Sequence, residues 1–122
     1  MILTKRVYEK FLVTDGRRIL VDRLWPRGIR RSTPNVDLWL KNAAPSTELR
    51  KWFMHDPKKW VRFKRRYLKE LKGSRAVEHL IAIAKSTDPV TLVYSSKDSK
   101  HNNAIILQKY LEKELKKRAG KK

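Results

Sequence analysis

"VTLVY" (residues 90–94) is the run on which the fold turns: every residue is aliphatic, aromatic or β-branched, with no regular polar alternation. A strand wetted on one face alternates apolar and polar residues. A short continuous run bounded by turn residues belongs to a strand covered on both faces, the habit of parallel sheets in α/β proteins. Asp88-Pro89 breaks the chain before this run and "SSKDSKHNN" (95–103) follows it. Ala104, Leu107, Leu111 and Leu115 then recur at helical spacing, which predicts a long helix over about 101–117.

Upstream, "RAVEHLIAIAK" (75–85) carries Val77, Leu80, Ile81 and Ala84 at i, i+3, i+4, i+7, behind a Ser74 cap. The clearest helix precedes it: Asp56 is the natural N-cap, Pro57 stands at the first helical position and Gly73 is the stop. Trp60, Phe63, Tyr67, Leu68 and Leu71 gather on one side of it. Lys58, Arg62, Arg65, Arg66, Lys69 and Lys72 gather on the other, and Glu70 is the one acid between Lys58 and Lys72. That face is either a solvated helix surface or a track for phosphates. Lys64 falls inside the apolar arc, where it either snorkels or reaches a pocket. "ELRKWFM" (48–54) predicts a short helix capped by Ser46 or Thr47, and Val36, Trp39 and Leu40 suggest helical turns over 35–42.

At the N-terminus, "ILTKRVYE" (2–9) and "RRILVD" (17–22) read as strands. Asp15-Gly16 is a tight-turn signal that would join them as a hairpin, although "KFLVT" leaves that connection open. The sum is an α/β fold: a small, mostly parallel sheet of at least three strands with helices packed on one or both faces. We expect a single domain over 1–118 and a basic flexible tail over 119–122.

The chain has 122 residues, enough for a core that buries roughly two-thirds of the unfolded chain's surface. No stretch approaches the ~20 apolar residues of a membrane span, and no signal-peptide core opens the chain, so cytoplasmic residence is expected. The absence of cysteine removes disulfides, thiolate metal sites and thiol nucleophiles together. The three histidines have no metal-ligand spacing, and no dinucleotide, Walker or nucleophile-elbow motif is present, so neither metal nor cofactor is expected. Lysine and arginine number 31 against 12 acids, a net charge of +19. Most of those bases have no possible acidic partner, and such an excess points to a polyanion, nucleic acid first.

Ligands of α/β sheets bind beyond the carboxyl ends of the strands. "DRLWPRG" (22–28) follows the second strand and "SSKDSKHN" (95–102) follows the last, so parallel neighbours would share one crevice. Arg23, Arg27 and Lys97 supply positive charge there, Ser95 and Ser96 supply hydroxyl donors, and Trp25 offers a stacking surface. Each has a structural alternative. Asp22-Arg23 would be an internal ion pair, Trp25 a lid on the core, and Ser95 to Asp98 the cap of the following helix. His101, with Asp98 as its nearest acid, and Asp22 are the candidates for proton transfer. His55 and His79 are read as surface residues.

"LVDRLWPRGIRR", "PSTELRKWF" and "LVYSSKDSKHNNA", in this order, resemble the domain of unknown function 488 family, its short YeaO-like branch. The resemblance runs from the first strand to the last helix and implies a compact α/β domain without a settled activity. It marks three signatures: Asp22, Arg23, Trp25, Pro26, Arg27 and Gly28; Ser46 to Arg50; and Ser95 to Asn102. Longer members of the wider family tend to carry a cysteine at the end of the last strand, where this chain has Tyr94, so thiol chemistry does not carry over. Two functions compete, with an adaptor within a ribonucleoprotein or repair assembly as a blander third. One is a nucleic-acid-binding protein, for DNA or RNA, using Lys58, Arg62, Arg65, Arg66 and Lys69. The other is a small enzyme acting on a phosphorylated or other anionic small molecule at the strand ends.

Overall fold

In a computed structural model of the chain, which describes residues 1–120, four strands form one sheet of order β1-β4-β2-β3. They are β1 (Ile2–Arg6), β2 (Arg17–Leu20), β3 (Leu38–Trp39) and β4 (Val90–Tyr94). All pairings are parallel. "VTLVY" is β4, one of the two central strands: Val90 to Tyr94 pair with Ile2 to Arg6 on one side, and Val90 to Val93 with Arg17 to Leu20 on the other. All its residues are buried, as its unbroken apolar run requires.

The helices are α1 (Thr47–Phe53), α2 (Trp60–Leu71), α3 (Arg75–Ser86) and α4 (Asn103–Ala119). They contribute Phe53, Tyr67, Leu80 and Leu107 to one core cluster with Ile19, Val21, Val90, Leu92 and Tyr94. The alternate strand residues, Leu20 and Val93, join Val7 in a second cluster. There the cover is the 21–37 connection, through Trp25, Ile29 and Val36, together with Trp39. Strand periodicity therefore sends one set of side chains to the helices and the other to a loop.

Two local expectations are corrected. β1 and β2 do not form a hairpin; each pairs in parallel with β4, which lies between them. Asp15-Gly16 turns the chain across the end of β4. Gly16 has φ 65°, and a Cβ there would stand 1.9 Å from the Pro89 carbonyl oxygen, so only glycine fits. Residues 35–42 are not helical turns but β3 followed by a 3-10 turn, Lys41–Ala43. The strand conformation is imposed by a neighbour: Asp37 N–H donates to the Arg18 carbonyl at 2.8 Å, and the Arg18 N–H donates to the Asp37 carboxylate at 2.8 Å. The helix expected from Pro57 begins with a 3-10 turn, Pro57–Lys59, and the last helix reaches Ala119. Lys121 and Lys122, part of the expected tail, lie outside the described residues.

Beneath the 21–37 connection lies a buried charged staple. Arg18 is 0% exposed. It donates to Asp15 at 2.8 Å and to the carbonyls of Asn35, Glu9 and Val7 at 2.7, 3.0 and 3.2 Å. Lys5 reaches the other Asp15 oxygen at 3.0 Å. Burial pushes the Asp15 carboxyl up, but donation from Lys5, the Leu12 N–H and Arg18 outweighs it and holds the pKa below its usual value.

Candidate functional site

Because β2 and β4 are parallel neighbours, the segments that follow them emerge side by side, and the expected shared crevice is there. A single carboxylate joins the two. Asp22 accepts from the Ser95 N–H at 2.8 Å and the Ser95 hydroxyl at 2.9 Å. Burial raises the Asp22 pKa, with the Ser95 donors opposing it. Asp22 and Arg23 make no ion pair among the described residues. Arg23 turns to the Pro45 and Ala44 carbonyls and to Asn42, at 3.3 to 3.4 Å.

After β4, Asp98 organises a tight loop. Its carboxylate accepts from the N–H groups of Lys100 and His101 at 2.9 Å each, and lies 3.0 Å from His101 Nδ1. Those backbone donors hold the Asp98 carboxyl below its usual range. The α4 cap is neither a serine nor Asp98 but Asn102, whose side chain accepts from Ile105 N–H at 3.1 Å. His101 packs edge-on against Trp60, ring centroids 5.2 Å apart.

These loops enclose a cavity of about 170 Å³. Asp22 and Arg23 line it from the first signature, Arg50 from the second, and Ser95, Ser96 and His101 from the third. Phe53 and Phe63 provide an apolar wall. Both proton-transfer candidates, Asp22 and His101, therefore face one space. Arg50 arrives from α1, where Ser46 is the cap, its hydroxyl accepting from Leu49 N–H. Its guanidinium makes no hydrogen bond or ion pair among the described residues, and its Nε is withdrawn from solvent. Past α1 the chain takes positive φ at Met54 (46°) and His55 (56°). This uncommon conformation for two successive non-glycine residues brings the exposed His55 to the rim.

The remaining members of the predicted anion set lie elsewhere. Trp25, Arg27 and Lys97 line a second, more open hollow with Arg6, Tyr8 and Ser95. Trp25 donates to the Ile29 carbonyl at 2.7 Å and meets Trp39 edge-on at 5.5 Å. The Arg31 guanidinium stands 4.3 Å from its ring centroid. Those contacts make it part of the lid over the second core cluster, the structural alternative the sequence left open. Arg50 was legible only as part of a signature, and His55 only as a surface residue. Neither spacing nor composition shows that α1 aims both at the strand ends.

On α2 and the 3-10 turn that leads into it, Lys58, Arg62, Arg65, Arg66 and Lys69 are all exposed. None is in an ion pair among the described residues. The neighbouring acid, Glu70, is occupied by Ser46, accepting from its N–H at 2.8 Å and its hydroxyl at 2.6 Å. Trp52 lies against this face with the Arg66 guanidinium 4.5 Å and the Lys59 ammonium 5.2 Å from its ring. Lys64 is exposed and, with Lys72, Lys109, Lys113 and Lys117, walls an open groove between α2 and α4. No helix among the described residues is long and apolar enough to cross a membrane.

A one-sheet parallel α/β domain, with three signatures meeting at a single cavity beyond the strand ends, is the class that fold and site define. The chain belongs to the domain of unknown function 488 family: residues 1–122 match the group described as the inactive DUF488-N3 subclade. It is 42% identical over 110 residues to "Uncharacterized protein YeaO" of Escherichia coli (strain K12), covering 90% of this chain and 96% of that protein. It is 40% identical over 106 residues to "Uncharacterized protein Rv3073c" of Mycobacterium tuberculosis (strain ATCC 25618 / H37Rv), covering 87% and 89%. No solved structure matches the chain. The family resemblance read from the three motifs is thus borne out.

Proposed function

We propose that this protein binds nucleic acid along the basic face of α2, with the strand-end crevice accepting anions beside it. The observation that carries this reading is the unpaired state of that face. Lys58, Arg62, Arg65 and Lys69 are exposed without a carboxylate partner among the described residues, and Glu70 is held by Ser46. An ordinary solvated helix is laced by pairs at i, i+4; this one leaves its positive charge free for phosphates. Trp52, flanked by Arg66 and Lys59, adds an aromatic surface of the kind that single strands stack upon. The description of the matched subclade as inactive favours binding over catalysis.

The test is a salt titration with duplex DNA, single-stranded DNA and RNA, on protein freed of co-purified nucleic acid. The triple variant Arg62→Glu, Arg65→Glu, Lys69→Glu removes three candidate phosphate contacts. It should flatten the log–log salt slope on duplex DNA by roughly 2.7, at about 0.9 per contact, and weaken binding across all sequences. Unchanged affinity and slope in the triple variant would overturn the reading. The variant surface is exposed, so folding is not at risk, and thermal unfolding verifies that.

A further inference from the structure

We propose that the cavity between Arg50 and the loops after β2 and β4 is a receptor for the head group of a phosphate monoester, anchored by Arg50. This rests on reading the strand-end crevice as an anion site, and not on nucleic-acid binding by α2.

A guanidinium stays charged at any physiological pH, and sheltering one from water without a partner is costly. Half-buried Arg50 is partly in that position: it lines the cavity, its Nε is withdrawn from solvent, and none of its side-chain nitrogens has an acceptor among the described residues. The second arginine is loosely tethered. Arg23 makes only contacts of 3.3 to 3.4 Å, all to neutral oxygens, so an anion can draw it away at little loss. The competing negative charge in the lining is Asp22, which already accepts from both Ser95 donors. His101, whose Nδ1 lies beside Asp98, and the exposed His55 also line the cavity.

That donor set selects among anions. A carboxylate has two oxygens and one charge. A phosphate monoester brings three terminal oxygens and about −1.5 to −2 charge, which matches two guanidinium groups. Size then limits the ligand. At about 170 Å³ the cavity is smaller than the ~300–1,000 Å³ typical of a site that engulfs a drug-sized molecule, so it takes the head group and leaves the remainder outside. The phosphate comes either from a small phosphorylated molecule or from the 5′ end of a strand. The second source is within reach because Trp60, in the first turn of α2, packs on His101.

The experiment is calorimetric titration with inorganic phosphate, and with matched 5′-phosphorylated and 5′-hydroxyl single-stranded decamers. The proteins are wild type, Arg50→Met, and the α2 triple reversal variant. Inorganic phosphate should bind wild type and the triple variant alike, and bind Arg50→Met about tenfold more weakly or less well still. Phosphate binding that survives Arg50→Met, or that disappears in the triple variant instead, would overturn the receptor. So would a wild type that binds neither inorganic phosphate nor the 5′-phosphate preferentially. An Arg50-dependent preference for the 5′-phosphorylated decamer supports the receptor and assigns the strand end as source. Arg50-dependent phosphate binding without that preference supports it and assigns a small molecule. If no decamer binds while inorganic phosphate binds through Arg50, the nucleic-acid reading falls and the receptor stands. Arg23→Gln, which retains α1 intact, repeats the test should Arg50→Met fail to fold.

Discussion

Two arginines, Arg18 wholly and Arg50 partly withdrawn from water, show what a sheltered charge can be for. Arg18, under the 21–37 connection, is 0% exposed and shares its donors among a carboxylate and several carbonyls. The Arg50 side chain, at the strand ends, has no acceptor among the described residues. The first joins a carboxylate and three carbonyls from separate segments in one buried network and so fixes the fold. The second leaves its side-chain donors unbonded beside a cavity, and the receptor we propose rests on that difference. Chemical type is identical; the partners within reach decide the role.

The largest effect should come from Arg18→Met. It strips Asp15 of one partner and removes the Arg18 donor from the carbonyls of Asn35, Glu9 and Val7, so urea unfolding should show a loss of about 3–5 kcal/mol. Lys5 still holds Asp15 and places the result toward the lower end of that range. A loss no greater than that of Arg50→Met would erase the contrast between the two arginines.

Acid sharpens the same comparison. The folded-state pKa of Asp15 is depressed, so its contribution is present above the unfolded value, about 3.8, and is lost as pH falls through the folded value. Wild type should lose stability steeply below about pH 4, and Arg18→Met, with one fewer donor on Asp15, less steeply. Equal slopes in urea titrations of the two proteins would remove Arg18 from this linkage. Asp98 contributes in the same direction in both proteins, so it cancels in the difference.

Asp22 has the opposite sign. Burial raises its folded pKa above the unfolded value, so stability declines as pH rises between the two and the ionised form is held at a disadvantage near neutrality. Asp22→Asn keeps an acceptor oxygen for Ser95 and removes the charge. The urea midpoint at neutral pH should be unchanged or higher, and inorganic phosphate should bind more tightly. A lower midpoint together with weaker phosphate binding would mean that the carboxylate itself holds the loops together. The smallest effect is reserved for Arg50→Met: stability within about 0.5 kcal/mol of wild type, since no intramolecular bond is lost. A large loss there would make Arg50 a second structural arginine.

Much of the fold is readable from local chemistry. The unbroken apolar run 90–94 announced a strand buried on both faces, and it is one of the two central strands. Ser46, Asp56 and Ser74 cap where their hydrogen-bonding side chains predict. The misread segments are those in which a neighbour overrides the local pattern. Leu38–Trp39 is a strand because Arg18 and Asp37 exchange hydrogen bonds, and an eight-residue window with four apolar residues has no period strong enough to resist. β1 and β2 are parted by β4, which follows them in sequence by some seventy residues, a pairing that no turn signal encodes.

The site divides in the same way. The residues at the strand ends, Asp22, Arg23, Ser95, Ser96 and His101, were legible because ligands of parallel sheets gather where the strands stop, and side-chain type then names the chemistry. Trp25 and Arg50 were not separable by type. Both stand in signatures rich in basic residues, yet Trp25 is engaged by Ile29, Trp39 and Arg31, while Arg50 lines the cavity without a partner. Hydrophobic period, capping chemistry and charge are short-range properties and survive in a string of letters. Whether a polar group is satisfied depends on what the folded chain brings within about 3 Å of it, and that follows only from packing.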